Sequence, residues 1–183
     1  MSLASPGEPS PFFAEEADRV RSAARTGPVL DLACGTGRHA LAAAALGGRV
    51  VAMDRDRTAL GVLGAASHAR HLTVHRVRAD LERPHGIPAR TGVFALILVF
   101  RFLFRPLAPA IAAALRPGGL LLYETFLVDP RPAPPGPRSP EFRLAPGELL
   151  QLFPGLHVLR YAEGVVGTPP APALARLVAR RPG

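Results

Sequence analysis

Short apolar runs alternate with helical patterns along most of the chain. Seven mainly apolar runs are typical of strands: 29–32, 49–53, 72–78, 93–99, 120–124, 156–163 and 174–180. Stretches with a helical pattern precede or separate them: 12–25, 37–46, 58–69, 107–115 and 146–153. This alternation predicts an α/β fold. The run at 93–99 is continuously apolar, as expected for a central parallel strand that is buried on both faces.

The first five strands are separated by helices or helix-sized connections, which favours a doubly wound, mostly parallel sheet. The last two runs complete a seven-stranded, Rossmann-like sheet in a single domain spanning residues 1–183. Residues 1–11 contain three Pro and are expected to be flexible. Residues 130–140 contain six Pro, which excludes regular structure there. This Pro-rich loop is interpreted either as a plain connection or as a lid over a substrate.

Composition narrows the class of protein. The chain has 22 basic and 14 acidic residues, a net charge of +8, and every basic residue is Arg. The absence of Lys and Asn, together with 21 Pro, indicates either a heat-adapted, thermostable protein or a compositional bias of the genome. The arginines are scattered and form no single basic run, so we do not expect nucleic acid as a partner.

The cysteine count, the first residues and the lengths of the apolar runs exclude further classes of protein. The only cysteine, Cys34, rules out an internal disulfide and a zinc site built on several thiolates, and the six His show no metal-ligand grouping, so no metal is expected. The first residues lack the basic and apolar regions of a secretory signal. The apolar run 93–100 is far shorter than the roughly 20 residues of a membrane helix. We therefore expect a cytoplasmic protein with no membrane segment.

Carboxylates follow three successive predicted strands, as Asp31, Asp54 and Asp80. Ligands of an open parallel sheet bind beyond the carboxyl ends of its strands, where these three groups are expected to meet. Each acid alone is more typical of a helix cap or a surface ion pair. Together they indicate a nucleoside site, because Asp54 follows Gly35 by about 20 residues, the spacing of a ribose-binding acid. Asp80 would accept a hydrogen bond from an adenine amino group.

The segment 35–40 (GTGRHA) allows two interpretations of that nucleoside. It fits the G-x-G-x-x-A fingerprint, so an NAD(P)-dependent oxidoreductase is one alternative. Its glycines allow a tight turn and bring helix N–H groups close to a ligand. The turn begins at Asp31, however, and contains no basic residue before Gly37. A ligand with a cationic sulfonium or ammonium group suits this carboxylate better than a pyrophosphate does.

Four segments carry a family resemblance: VLDLACGTG, VVAMDRD, RADLE and LRPGGLLLYETF. In this order they resemble the motifs of class I S-adenosylmethionine-dependent methyltransferases, over residues 29–124. The segments FRFLFRPL and PGELLQLF are most similar to the small tellurite-resistance-type branch. The resemblance implies S-adenosylmethionine as cofactor and an antiparallel C-terminal strand pair. Because 183 residues leave little surface for a macromolecular substrate, we expect a small-molecule methyl acceptor.

An RNA-directed methyltransferase or RNA-binding protein is the second alternative. The branches that methylate amino groups of nucleic acids usually carry an Asn/Asp-Pro-Pro-Tyr/Phe motif after the fourth strand. Residues 99–102 here are VFRF, which disfavours such a substrate.

The resemblance also assigns site residues. Those expected to bind the cofactor are Asp31, Ala33, Cys34, Gly35, Thr36, Gly37, Arg38, Asp54, Arg55, Asp80, Leu81 and Phe100. Ala33 occupies a position where many members of the family have Gly. Those expected to bind the substrate, beyond the fourth and fifth strands, are Arg101, Phe102, Arg105, Tyr123 and Glu124.

Two of these substrate residues, Arg101 and Arg105, could form a fork for an anionic acceptor, or they are surface arginines at the start of a helix. Glu124 or Tyr123 could accept a proton, but the sequence identifies no catalytic residue.

Overall fold

The computed structural model describes residues 6–83, 86–131, 134–167 and 170–183. Its strands are β1 (Val29–Leu32), β2 (Val50–Asp54), β3 (Val74–Arg78), β4 (Phe94–Phe100), β5 (Leu115–Phe126), β6 (His157–Val165) and β7 (Ala173–Arg180). Its α-helices are α1 (Pro11–Glu15), α2 (Ala17–Ala24), α3 (Arg38–Ala45), α4 (Arg57–Ala69), α5 (Ala108–Ala114) and α6 (Glu148–Gln151). Short 3₁₀ helices span Arg105–Leu107 and Pro140–Phe142.

The seven strands form one sheet in the order β3-β2-β1-β4-β5-β7-β6. Strands β1 to β5 pair in parallel, whereas β7 is antiparallel to both β5 and β6. This confirms the predicted doubly wound α/β sheet and its antiparallel C-terminal pair. The strand order reverses between β1 and β4, and a ligand of such a sheet binds at this reversal, beyond the carboxyl ends of the strands.

Apolar cores lie on both faces of the sheet. Strand β4 is buried along its whole length: Ile97 and Val99 belong to one core, and Leu96 and Leu98 belong to the other. Helices α1 to α4 cover the second face, and α5 and α6 cover the first. Burial on both faces explains why this strand is continuously apolar rather than alternating.

The predicted helix 12–25 is divided in two. Glu16 separates α1 from α2 with non-helical backbone angles (φ −99°, ψ 10°). Its side chain is fully buried, and its carboxylate oxygens pair with Arg19 at 2.5 Å and with Arg160 at 2.7 Å. A buried carboxylate needs such partners, because loss of hydration must be offset by hydrogen bonds and opposite charge. The break between the two helices therefore lies at the residue whose side chain pairs with β6.

Residues 116–119 separate the predicted helix 107–115 from the predicted strand 120–124, and in the structure they lie within β5. In the pairing of β4 with β5, the partner of Phe94 is Leu115 and that of Leu96 is Leu120, so the register shifts between them. Gly118 has a φ of +73°, which a side chain would disfavour, and its N–H donates to the carbonyl of Arg181. The Pro-Gly-Gly segment is accordingly a bulge in the strand, with a hydrogen bond that continues the sheet.

The two Pro-rich segments are described only in part. Residues 1–5 of the segment 1–11 lie outside the described residues, while Ser10 is buried and caps α1 by accepting the N–H of Phe13. Residues 132–133 of the loop 130–140 also lie outside them. Within the described part, the buried Arg143 guanidinium donates to the carbonyls of Pro135 and Pro137 at 3.1 and 2.9 Å. These contacts hold this part of the loop against the fold.

A membrane-crossing helix is not found in the described part of the chain, because none of its helices combines sufficient length with sufficient apolar character.

Candidate functional site

The turn between β1 and α3 has three residues in the left-handed region. Gly35, Gly37 and Ala33 have φ values of +53°, +83° and +52°. A Cβ at Gly37 would lie 2.3 Å from Cδ1 of Leu63, so α4 packs too closely for any side chain there. A Cβ at Gly35 would meet nothing within 4 Å, so the backbone at that residue is open to a ligand. Ala33 takes the same conformation with a side chain, at a cost in backbone energy.

Asp31 lies on β1 between Ala52 of β2 and Leu98 of β4. Its side chain is buried, and Oδ2 has no hydrogen-bond partner among the described residues. Burial raises the pKa of this carboxyl to about 7, an effect that a backbone hydrogen bond from Ala40 and the nearby Arg38 guanidinium only partly offset. A buried, unpartnered carboxylate oxygen is costly unless a cation or a donor binds it.

A cavity of about 370 Å³ opens beside this turn, and we call it the turn cavity. It is lined by Gly7, Asp31, Ala33, Cys34, Gly35, Thr36, Arg38, His39, Phe100 and Arg101. Seven of the residues expected to bind the cofactor thus lie together, joined by Arg101 from the expected substrate group. Gly37 supports the turn but does not line the cavity.

A second cavity of about 200 Å³, which we call the acid cavity, lies beyond β2 and β3. It is lined by Ala33, Asp54, Arg55, Ala79, Asp80, Leu81, Glu82 and Phe102. Ala33 lines both cavities, so they lie side by side along the carboxyl edge of the sheet. Phe102, expected on the substrate side, lies on the wall of this second cavity.

The carboxylates of the acid cavity have different partners. Asp54 accepts the N–H of Gly35 at 2.7 Å and the N–H of Asp56 at 2.8 Å, which ties the end of β2 to the β1 turn. Asp80 accepts a hydrogen bond from Arg83 Nε at 3.1 Å, and this bond lowers the pKa of its carboxyl. A carboxylate has about four acceptor positions, so both groups keep capacity for a ligand hydroxyl or amino group.

Arg101 follows β4 directly, in a left-handed conformation with φ +60°. Its Nε lies 3.5 Å from Oε1 of Glu124, and its guanidinium stacks over the Phe126 ring at 4.7 Å. Burial lowers the pKa of Arg101, and Glu124 opposes that effect. Glu124 itself is fully buried and accepts a hydrogen bond from Arg176 Nε at 2.9 Å. One carboxylate is therefore shared between two guanidinium groups.

The structure does not bring Arg101 and Arg105 together as a fork. Arg105 pairs with the carboxylate of Glu148 and donates to the backbone carbonyls of Glu141 and Arg143. Those partners occupy its guanidinium within the chain and fix the segment before α6.

Tyr123, also expected on the substrate side, donates its hydroxyl to the carbonyl of Phe102 at 3.0 Å. Burial raises the pKa of this phenol, so it stays protonated and offers no phenolate to accept a proton. Neither Tyr123 nor Arg105 lines the turn cavity or the acid cavity.

His39 lines the turn cavity but is not among the residues expected to bind a ligand. Its imidazole stacks on Phe100 with ring centroids 3.7 Å apart, and its Nε2 accepts the N–H of Ser10 at 3.1 Å. Burial lowers the pKa of His39 to about 3, so the ring is neutral and remains an acceptor. The Ser10-Pro11 pair is a typical helix start, so the sequence indicates that Ser10 lies at the beginning of α1. No local pattern signals its pairing with His39.

No group of three or more His, Cys, Asp or Glu side chains is placed to hold a metal ion within the described ranges. The Cys34 thiol is half-buried, and burial raises its pKa further above neutrality, so it stays protonated. Thiols react as thiolates, and a protonated Cys34 is therefore a wall of the cavity rather than a nucleophile.

The residues present fit S-adenosylmethionine in charge and shape. The unpartnered carboxylate oxygen of Asp31 can pair with a cationic group of the ligand, and the open side of Gly35 lets a ligand approach the backbone. Residues Asp54, Asp80 and Leu81 in the adjoining cavity would hold the ribose and adenine. Two neighbouring cavities, with acids at both, match a ligand that has a cationic centre and a nucleoside.

Solved structures with the same fold include three that cover most of this chain. TehB from Haemophilus influenzae is 20% identical with a TM-score of 0.72; the match covers 92% of this chain and 65% of that protein's length. A S-adenosylmethionine-dependent methyltransferase from Aquifex aeolicus is 18% identical with a TM-score of 0.68, covering 93% of each chain. Another from Mesorhizobium loti is 20% identical with a TM-score of 0.69, covering 91% of this chain and 97% of that one. At these identities the likeness establishes the fold.

Among curated proteins, none matches this chain significantly. The family is established instead by a match to a family model. The family model described as "Methyltransferase domain" matches residues 29–119, which include the β1 turn, Asp54, Asp80 and β4. The motif order, the strand order and the paired cavities agree with that match. The chain belongs to the class I S-adenosylmethionine-dependent methyltransferases.

Proposed function

We propose that this chain is a cytoplasmic enzyme that methylates a small anionic molecule, with S-adenosylmethionine as the methyl donor. The observation that supports an anionic acceptor is the position of Arg101 on the wall of the turn cavity, which Asp31 also lines. The cavities of about 370 and 200 Å³ suit a nucleoside cofactor and a small second ligand.

The positive charge of Arg101 is only partly neutralised by its neighbours. Its only carboxylate partner, among the described residues, is Glu124, which Arg176 already engages at the shorter distance of 2.9 Å. Its side chain is 29% exposed, so the guanidinium can contact a ligand without leaving Phe126. Guanidinium groups bind carboxylates and oxyanions through directed, charge-assisted hydrogen bonds.

The protein would promote methyl transfer mainly by holding the cofactor and the acceptor in position. The cofactor, when bound, supplies a methyl group on a positively charged sulfur. Asp31 would neutralise that end of the ligand, while Asp54, Asp80 and Leu81 would hold the nucleoside in the acid cavity. Arg101 would orient the acceptor in the turn cavity, and such orientation of two reactants is a large part of the rate enhancement. An acceptor that arrives as an anion needs no general base.

The test compares anionic acceptors with their neutral isosteres, with S-adenosylhomocysteine release as the readout. The Arg101→Gln variant is expected to raise KM for the anionic acceptor about tenfold or more, because it loses a charged hydrogen bond, while its affinity for S-adenosylhomocysteine stays the same. Arg90→Gln, at an exposed arginine outside both cavities, is the matched control. Equal KM values in the wild type and Arg101→Gln would contradict the anionic acceptor.

A further inference from the structure

A third cavity, of about 630 Å³, lies at the opposite edge of the sheet, and we call it the distal cavity. Ala95 and Arg116 line it at the starts of β4 and β5, and Arg180 lines it at the end of β7. Helix α2 forms the other wall. No residue of this cavity lines the turn cavity or the acid cavity, so it has no part in the function proposed above.

The carboxylates on the wall of the distal cavity are already bound. Each has an arginine partner in the chain at N–O distances between 2.5 and 2.8 Å: Glu16 with Arg19 and Arg160, Glu15 with Arg160, and Asp18 with Arg21. Three of these four pairs use an arginine that does not line the cavity, so the acids are neutralised largely from outside it. The wall therefore has no surplus of negative charge for a cation.

The other two arginines of the wall lack such partners. Neither Arg116 nor Arg180 has a carboxylate within 4.0 Å among the residues that the structure describes. The Nε of Arg116 is also buried with no acceptor. Buried donors are nearly always satisfied in folded proteins, and each exception calls for an explanation such as a ligand or an ion. Two guanidinium groups without counter-ions thus face one cavity.

The surface of the cavity between the charged groups is partly apolar, with Ser22 and Thr26 adding hydroxyl groups to it. Ala23 of α2, Ala95 of β4 and Leu120 of β5 are all buried residues on its wall. A hydrated inorganic ion gains nothing from such a surface, whereas an organic ligand buries apolar area against it. The lining thus combines an apolar surface with cations at one side.

We propose that the distal cavity binds a small organic anion. A carboxylate or phosphate group would lie between Arg116 and Arg180, and the apolar part of the molecule would cover Ala95 and Leu120. Both anion types share the chemistry that arginine recognises, namely several oxygen acceptors with delocalised negative charge. The site is a second binding site on the enzyme, at the far end of the strands that carry the cofactor residues.

Calorimetric titration with phenyl phosphate and with benzoate tests the proposal, and these two arms distinguish phosphate from carboxylate. The protein is saturated with S-adenosylhomocysteine and kept at low ionic strength, because salt screens an open site of this kind. At least one probe is expected to bind at one site, more tightly than inorganic phosphate and unlike the neutral phenol. Arg180→Gln and Arg116→Gln are each expected to weaken that binding about tenfold or more.

Two controls keep the outcome clear. Arg180 is exposed, so Arg180→Gln tests the site even where Arg116→Gln fails to fold, and an unchanged affinity for S-adenosylhomocysteine shows that the fold is intact. Arg101→Gln is expected to leave the binding of the probe unchanged. Absence of binding by both probes, equal binding in Arg180→Gln and the wild type, or loss of binding only in Arg101→Gln would each overturn the proposal. None of these results depends on methyl transfer.

Discussion

Replacement of Asp31 by Asn is expected to stabilise the free protein and to weaken cofactor binding. The carboxyl is 1% exposed, and burial raises its pKa from 3.8 to about 7. This difference in pKa means that ionisation of Asp31 costs roughly 4 kcal/mol more in the folded protein than in the unfolded chain. Asn has nearly the same shape but does not ionise, so Asp31→Asn avoids this cost above pH 7. A chain of this size gains about 2–4 °C in Tm per kcal/mol, so the expected increase in Tm is at most about 16 °C.

The pH dependence identifies the cause of that gain. The folded protein keeps a proton on Asp31 that the unfolded chain releases above about pH 4, so stability falls as pH rises from about 4 to 7 and stays at the lower level above 7. The two proteins should therefore have similar Tm values at pH 4, and Asp31→Asn should be the more stable one at pH 8. Thermal denaturation without cofactor, measured at both pH values, tests this.

Cofactor titrations complete the test. A cationic ligand favours the ionised carboxylate, so the affinity of the wild type for S-adenosylmethionine should rise between pH 6 and pH 8. Asp31→Asn loses a charge-assisted hydrogen bond and should bind at least about tenfold more weakly at pH 8, without that rise. A difference in Tm between the two proteins that is the same at pH 4 and pH 8, or equal cofactor affinities, would refute the reasoning.

Three further substitutions have definite expected outcomes. Asp54→Ala leaves the Gly35 N–H without its acceptor, and calorimetry should show at least about tenfold weaker binding of S-adenosylhomocysteine; unchanged affinity would contradict the ribose assignment. Glu124→Gln removes one partner of a buried ion pair and should cost about 3–5 kcal/mol in urea denaturation, which a value below about 1 kcal/mol would refute. Gly37→Ala should lower Tm more than Gly35→Ala, because only the former would contact Leu63; equal Tm values would argue against that close packing.

The sequence predicts the strands well, and it also predicts that two of the acids meet, because both inferences depend on local patterns. Strand β4 is continuously apolar, so its burial on both faces is readable without the structure. The meeting of Asp54 and Asp80 at one cavity follows from parallel strands, whose carboxyl ends share one edge. Neither inference needs knowledge of a contact between distant side chains.

The predictions that the sequence could not make depend on such contacts. Arg101 and Arg105 are four residues apart, a helical spacing, but Arg101 has a left-handed backbone and Arg105 begins a 3₁₀ helix. The partner of Arg105 is Glu148, 43 residues away in the chain. In the same way, His39 accepts its hydrogen bond from Ser10 across 29 residues. Pairings of this kind are set by the packing of whole elements, which local spacing does not encode.

The position of β7 has a consequence for how the protein is made. It follows β6 in the chain but lies between β5 and β6, and β6 pairs with β7 alone among the strands described. During synthesis on the ribosome, β6 therefore emerges with no partner and must wait until β7 is available. Until then β5 and β6 both expose unpaired strand edges, which favour aggregation. Pairing of β7 covers the open edge of β5 and one edge of β6, and it therefore removes this source of misassembly in the nascent enzyme.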